Sequence, residues 1–160
     1  MKQEIFIAGL RISLGWIYLW AFLDKLLGLG FATKADKSWL AGGSPTSGFL
    51  QFGVHGPLAP LFSSLAGNAA VDGLFMAGLL LIGLAIMLGI GMRIASWAGV
   101  LLSLLMWSSL LPPANNPTVD EHIIYVFAFL VLASIKAGHA YGLGKWWSER
   151  AIVKKHPILE

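Results

Sequence analysis

GLFMAGLLLIGLAIMLGIGM, residues 73–92, contains no Asp, Glu, Lys or Arg. Twenty helical residues at 1.5 Å each reach about 30 Å, the depth of a bilayer's hydrocarbon core. Past Arg93 a second uncharged stretch runs from Ile94 to Val119, with Pro112 and Pro113 near its end. The whole composition agrees with helices that dissolve in lipid. Of 160 residues, 57% are hydrophobic and 12% charged, and the mean hydropathy is +0.75. Soluble chains run near a quarter charged. A soluble domain of this composition would leave broad apolar patches in water, and disorder needs the opposite balance of charge and hydrophobicity.

The pattern predicts an all-α integral membrane protein, one domain over 1–160, built as a four-transmembrane-helix bundle. The spans fall near 5–27, 70–91, 94–111 and 119–138, leaving a loop at 28–69 and a tail at 139–160. The first span carries Arg11 inside it and Asp24-Lys25 near its end. Its apolar stretch is too long for a signal peptide and no small-residue cleavage motif closes it, so it reads as a retained helix. The loop is charge-free from Ser38 to Val71 but broken by glycines and prolines, which argues against a fifth span. Irregular backbone is not tolerated against lipid. The loop is therefore expected to form an ordered lid, with short helices at Phe49–Phe52 and Leu58–Leu65.

Basic residues set the expected orientation. Lys136 lies at the end of the last span, Lys145, Arg150, Lys154 and Lys155 follow it in the tail, and Arg93 sits between spans 2 and 3. The 3–4 link, LPPANNPTVDEH, carries only acids. Both termini are expected in the cytoplasm of a multi-pass cell-membrane protein, with the long loop and the acidic link outside. The net charge of +3 is read as this topology and not as a nucleic-acid surface. With no cysteine, the chain has no disulfide, thiolate metal site or c-type haem attachment.

Ionisable groups in or near spans are costly, so each is a functional candidate. Arg11, Gly15, Tyr18, Phe22 and Lys25 recur at helical spacing on one face. Arg11 and Lys25 either snorkel to opposite headgroup layers or hold a ligand: for Lys25, an anion or a quinone carbonyl. At the outer end the topology gathers Asp24, Lys25, Asp72, Asn115, Asn116, Asp120, Glu121 and His122, with Tyr125 one turn on. Carboxylate, imidazole, phenol and ammonium together can move protons to and from a small molecule. His122, Asp120, Glu121 and Tyr125 are the candidate catalytic groups. Lys25, Asp24, Asp72, Asn116, Trp39 and Arg11 are the candidate binding groups, with Trp39 and Phe49 placed to cover a quinone ring.

A plainer account exists for the acids. Thr118 and Glu121 have the spacing of a capping box, Asp120 and Glu121 suit a helix N-terminus, and Asn116-Pro117 is a turn signal. No HxxxH or HxxE pattern gathers His55, His122, His139 or His156 into a ligand set, so neither a metal nor a haem is expected. Gly73/Ala77, Ala85/Gly89 and Ala95/Gly99 are small-xxx-small pairs that serve bundle packing and permit a homodimer.

Arg11-x3-Gly15 with Asp24-Lys25-Leu26, LGIGMR at Leu88–Arg93 and NNPTVDEHIIY at Asn115–Tyr125 together resemble the DoxX/DoxD family, across essentially the whole chain. The resemblance is strongest to DoxD-type members. It implies a small four-span subunit of a thiosulfate:quinone oxidoreductase, completed by a second redox subunit, with quinone as exchangeable substrate. Three readings stand side by side: a quinone-linked redox subunit, a non-catalytic anchor or assembly subunit of a redox complex, and, with least support, a small-solute transporter.

Overall fold

The computed structural model describes residues 2–160, and all regular structure among them is helical. In chain order the helices are α1 (Lys2–Leu27), the short α2 (Ser47–Phe52) and α3 (Ala59–Ser63), then α4 (Ala69–Leu88), α5 (Met92–Ser109) and α6 (Glu121–Ser134). The short α7 (Gly144–Ser148) and α8 (Ala151–Lys155) follow. Helices α1 and α4 are long and apolar enough to cross a membrane.

Local chemistry sets most of these boundaries. Asn68 caps α4, its Oδ1 accepting the N–H groups of Ala70 at 2.9 Å and Val71 at 3.4 Å. Gly89, with φ of +76°, ends that helix in the left-handed conformation that glycine reaches without a side-chain clash. Asp120 caps α6, accepting from His122 N at 3.0 Å and Ile123 N at 3.4 Å. The capping box expected at Thr118 does not form. Asn116 Oδ1 draws the Thr118 and Val119 amides into its own turn, at 2.9 and 3.0 Å, which leaves Asp120 as the first residue free to cap.

The four long helices pack α1 on α4, α4 on α5 and α5 on α6, with a slighter contact of α1 on α6 closing the group. Met76, Ile82, Ile86, Phe129 and Leu132 are among the residues that fill the middle. Helices α1 and α4 cross through two glycines. A Cβ on Gly83 would lie 2.7 Å from Leu19 N, and one on Gly15 would lie 2.8 Å from Met87 N. Of the small pairs singled out in the sequence, Gly73 meets nothing within 4 Å, whereas Gly99 makes room for the Phe129 ring. Outward faces remain apolar on every long helix, including Phe6, Leu74, Leu81, Leu101 and Phe127, all exposed.

Three placements differ from those expected. Helix α6 stops at Ser134, short of 138, because Ile135 turns extended and Gly138 then packs against the carbonyl of Gly89. Trp39 stands at the end of α1, its N–H bonded to Lys25 O at 2.9 Å, with its side chain exposed. Arg11 does not snorkel: it is fully buried. Its guanidinium donates to Ile86 O at 2.7 Å and to Met87 O, carbonyls of the last turn of α4 that lack intrahelical partners. It also donates to Ala140 O at 3.3 Å and Tyr141 O at 3.2 Å. One side chain thus joins α1, α4 and the segment after α6. Arg11→Met keeps an apolar stem but strands these carbonyls, and should destabilise the fold by about 3 kcal/mol in detergent unfolding titrations. Arg11→Lys should restore only part of that, since an ammonium cannot span both carbonyl pairs. Unchanged unfolding in both variants would show that the clamp carries no weight.

Candidate functional site

Segment 28–68 is not a free loop. Asp24 starts its return by accepting the N–H groups of Phe31 at 3.2 Å and Ala32 at 2.9 Å. The backbone of His55 then reaches the end of α5, donating to Ser109 O at 3.1 Å, and its ring Nε2 lies 3.1 Å from Pro112 O. Between these ties Asp72, in the first turn of α4, holds the segment from below. Its Oδ1 accepts from Ser44 Oγ at 2.9 Å, Thr46 Oγ1 at 2.5 Å and Thr46 N at 3.2 Å.

Under this roof lies a cavity of about 400 Å³. Phe49, Leu50 and Phe62 close it from above, and Phe75, Leu79 and Leu102 are part of its helical wall. Six polar side chains also line it: Tyr18, Lys25, Thr46, Ser109, His122 and Tyr125. Three of these are already satisfied. Tyr18 Oη pairs with Ser103 Oγ at 2.7 Å, Thr46 bonds Asp72, and Ser109 Oγ donates to Met106 O at 2.7 Å.

The other three keep a polar group without a hydrogen-bond partner among the described residues: the Lys25 ammonium, which feels the charge of neighbouring Asp24, the Tyr125 hydroxyl and Nε2 of His122. Nδ1 of His122 is 2.9 Å from Asp120 Oδ2, and the two side chains are only 16% and 11% exposed. Asp120 therefore uses one oxygen to cap α6 and the other to orient the ring. The carboxylate contact assigns the proton to Nδ1, which leaves Nε2 an acceptor in the neutral ring and a donor in the imidazolium. The rings of His122 and Tyr125 meet edge-on, with centroids 6.2 Å apart.

The structure thus brings Lys25, His122 and Tyr125 to one cavity, with Asp120 behind the histidine and Asp72 behind the roof. It does not bring the rest. Glu121 is exposed at the first turn of α6, Asn116 is spent on its turn, Asp24 caps the chain reversal, Trp39 is outside the lining, and Arg11 lies at the other end of the bundle. Asp120, Glu121 and His122 each bring a ligand-type atom within 4.8 Å of the others. Both Asp120 oxygens are engaged there, by the cap and by the ring. No family model, curated protein or solved structure matches the chain.

Ser103 and Thr46 went unremarked in the sequence, since a lone hydroxyl in an apolar run carries no signal of its partner. Asp72→Ala removes the acceptor for two hydroxyls and one amide, and should speed amide exchange across 44–50 about tenfold by mass spectrometry. Exchange left unchanged would mean that Phe49, Leu50 and Phe62 hold the roof by packing alone.

Proposed function

We propose that this chain is a four-span membrane protein with both termini in the cytoplasm, a DoxX/DoxD-like redox subunit whose roofed cavity binds quinone. The apolar cavity with an oriented histidine and an ammonium that makes no hydrogen bond carries the reading. A volume of about 400 Å³ is within the range of small-molecule sites, which are mostly apolar with few polar groups. A quinone ring fits that mixture: a flat apolar body with carbonyl oxygens that only accept hydrogen bonds. The exposed apolar faces of α5 and α6 support the two further spans beyond α1 and α4, and the basic flanks of Arg93 and the 136–155 region support the orientation.

The chemistry follows from Lys25, His122 and Tyr125. Reduction of a quinone takes two electrons and two protons. The sulfur anion supplies the electrons: two thiosulfates each lose one and join through a new S–S bond as tetrathionate. The chain contains no cysteine, so it holds no covalent sulfur adduct itself. Imidazolium His122 donates its Nε2 proton to one quinone oxygen, while Asp120 stabilises the charged ring and sets its orientation. Lys25 stabilises the other oxygen as negative charge grows on it and gives it the second proton, and Tyr125 offers a further hydroxyl donor. Glu121, exposed beside Asp120 and His122, is the route we assign for returning the spent protons from water. A partner subunit would deliver the electrons.

A second reading, a membrane assembly subunit without catalysis, draws on one observation: Asp24, Asp72 and Asp120 each have a structural task. Titration with a short-chain quinone, followed by tryptophan fluorescence, separates the two. The redox reading expects saturable quenching, weakened about tenfold or more in His122→Ala and in Lys25→Ala, the scale of one lost hydrogen bond to a charged group. Absence of saturable binding in the native protein would sink it. Single cysteines placed at Asn116 and Lys145 should react with an impermeant maleimide from opposite faces of the membrane; labelling from one face would contradict the topology.

A further inference from the structure

At the end of the bundle opposite the cavity, a cleft of about 160 Å³ lies between the 89–93 turn, the end of α6 and the 136–144 segment. Its basic side chains come from three places in the chain: Arg93 at the start of α5, Lys136 just beyond α6, and His139 in a 3-10 turn. The turn at Pro157–Leu159 lays Glu160 into this cleft. Its main-chain oxygen accepts the Arg93 N–H at 3.0 Å, and Oε1 accepts from Lys136 Nζ at 2.7 Å. Trp147 Nε1 fastens the same turn, donating to Leu159 O at 2.5 Å.

The donors outnumber what Glu160 satisfies. Nε2 of His139 stands 3.5 Å from Oε1 and is buried without a hydrogen-bond partner. The Arg93 guanidinium has no hydrogen bond or ion pair among the described residues. Helix α5 starts at Gly91 without a side-chain cap, so the positive end of its dipole faces the same place. The hydrogen bond from Lys136 is the main reason the Glu160 carboxyl is held below its usual range; burial opposes this, and the charges of Lys136, His139 and Arg93 add to it. A planar carboxylate offers two oxygens. A phosphate group offers three or more in a tetrahedral array, which suits donors arriving from three directions.

We propose that this cleft is a phosphate-group site, closed by the 157–160 segment, with Glu160 standing where the phosphate binds. The proposal is independent of the quinone cavity. The phosphate is either free inorganic phosphate or the headgroup of an anionic phospholipid.

Trp147 supplies the readout. The full chain in neutral detergent, with 15N-labelled indoles and Trp147 identified through Trp147→Phe, is titrated with sodium phosphate at constant ionic strength. In a second arm it is titrated with phosphatidylglycerol against phosphatidylcholine in mixed micelles. The expected result is a saturable shift of the Trp147 indole N–H as Leu159 leaves it. Glu160→Gln should bind about tenfold tighter, its amide being the weaker competitor, and Lys136→Gln should abolish saturation. Response in both arms identifies free phosphate as sufficient, and response to phosphatidylglycerol alone identifies the headgroup; either supports the site. No saturable response in either arm, or an equal response to chloride, overturns it. If Glu160→Gln does not fold, the native protein against Lys136→Gln gives the same decision.

Discussion

The upper half of this molecule depends on Asp72, whose single oxygen Oδ1 takes the Ser44 hydroxyl and both the hydroxyl and the amide of Thr46. Asp72 is fixed in the first turn of α4, and α4 is locked to α1 by the Gly15 and Gly83 contacts. The position of the roof is therefore tied to the helix pair with the most extensive contact. Phe49, Leu50 and Phe62 can then cover apolar space between the helices instead of collapsing into it. An acid at the end of a helix usually speaks for the dipole; here it also speaks for a long-range tie that makes a cavity.

Polar groups divide cleanly between holding the fold and facing the cavity. Arg11, Asp24, Asp72 and Asn116 spend their bonds on backbone groups or on loop hydroxyls, satisfying donors and acceptors that apolar surroundings would otherwise leave stranded. Lys25, His122 and Tyr125 retain free capacity inside an apolar wall. Asp120 works in both groups, one oxygen for the helix and one for the imidazole, so the orientation of His122 is built into the start of α6. At the opposite end, the two terminal nitrogens of Arg11 are taken by four carbonyls, whereas Arg93 and His139 are not satisfied by Glu160.

How much of this was legible in the sequence follows from the range of each interaction. Charge-free runs and their flanks placed the ends of α4 and α5 within three residues, because hydrophobic length is a local signal; the stop at Gly89 was overrun. The short helices of the roof were also readable, from Phe49–Phe52 and the 58–65 stretch between glycines and prolines. The end of α6 was not, since nothing local to Ile135 announces that Gly138 must pack on Gly89. Lys25, His122 and Tyr125 were singled out from topology and helical spacing. Asp72 and Arg11 were assigned ligand roles because their true partners, Ser44 and Thr46 in one case and the carbonyls of 86, 87, 140 and 141 in the other, lie far away in the chain.

The proposed function stands or falls on whether quinone occupies the space between the roof and His122. Photolabelling with an azido-quinone in lipid vesicles, followed by peptide mapping, tests it most directly. Adducts are expected on peptides carrying Phe49, Phe62 or Tyr125, suppressed by excess unlabelled quinone and reduced when Asp72→Ala opens the roof. Adducts confined to the outward faces of α4 and α5, and insensitive to competitor, would contradict it.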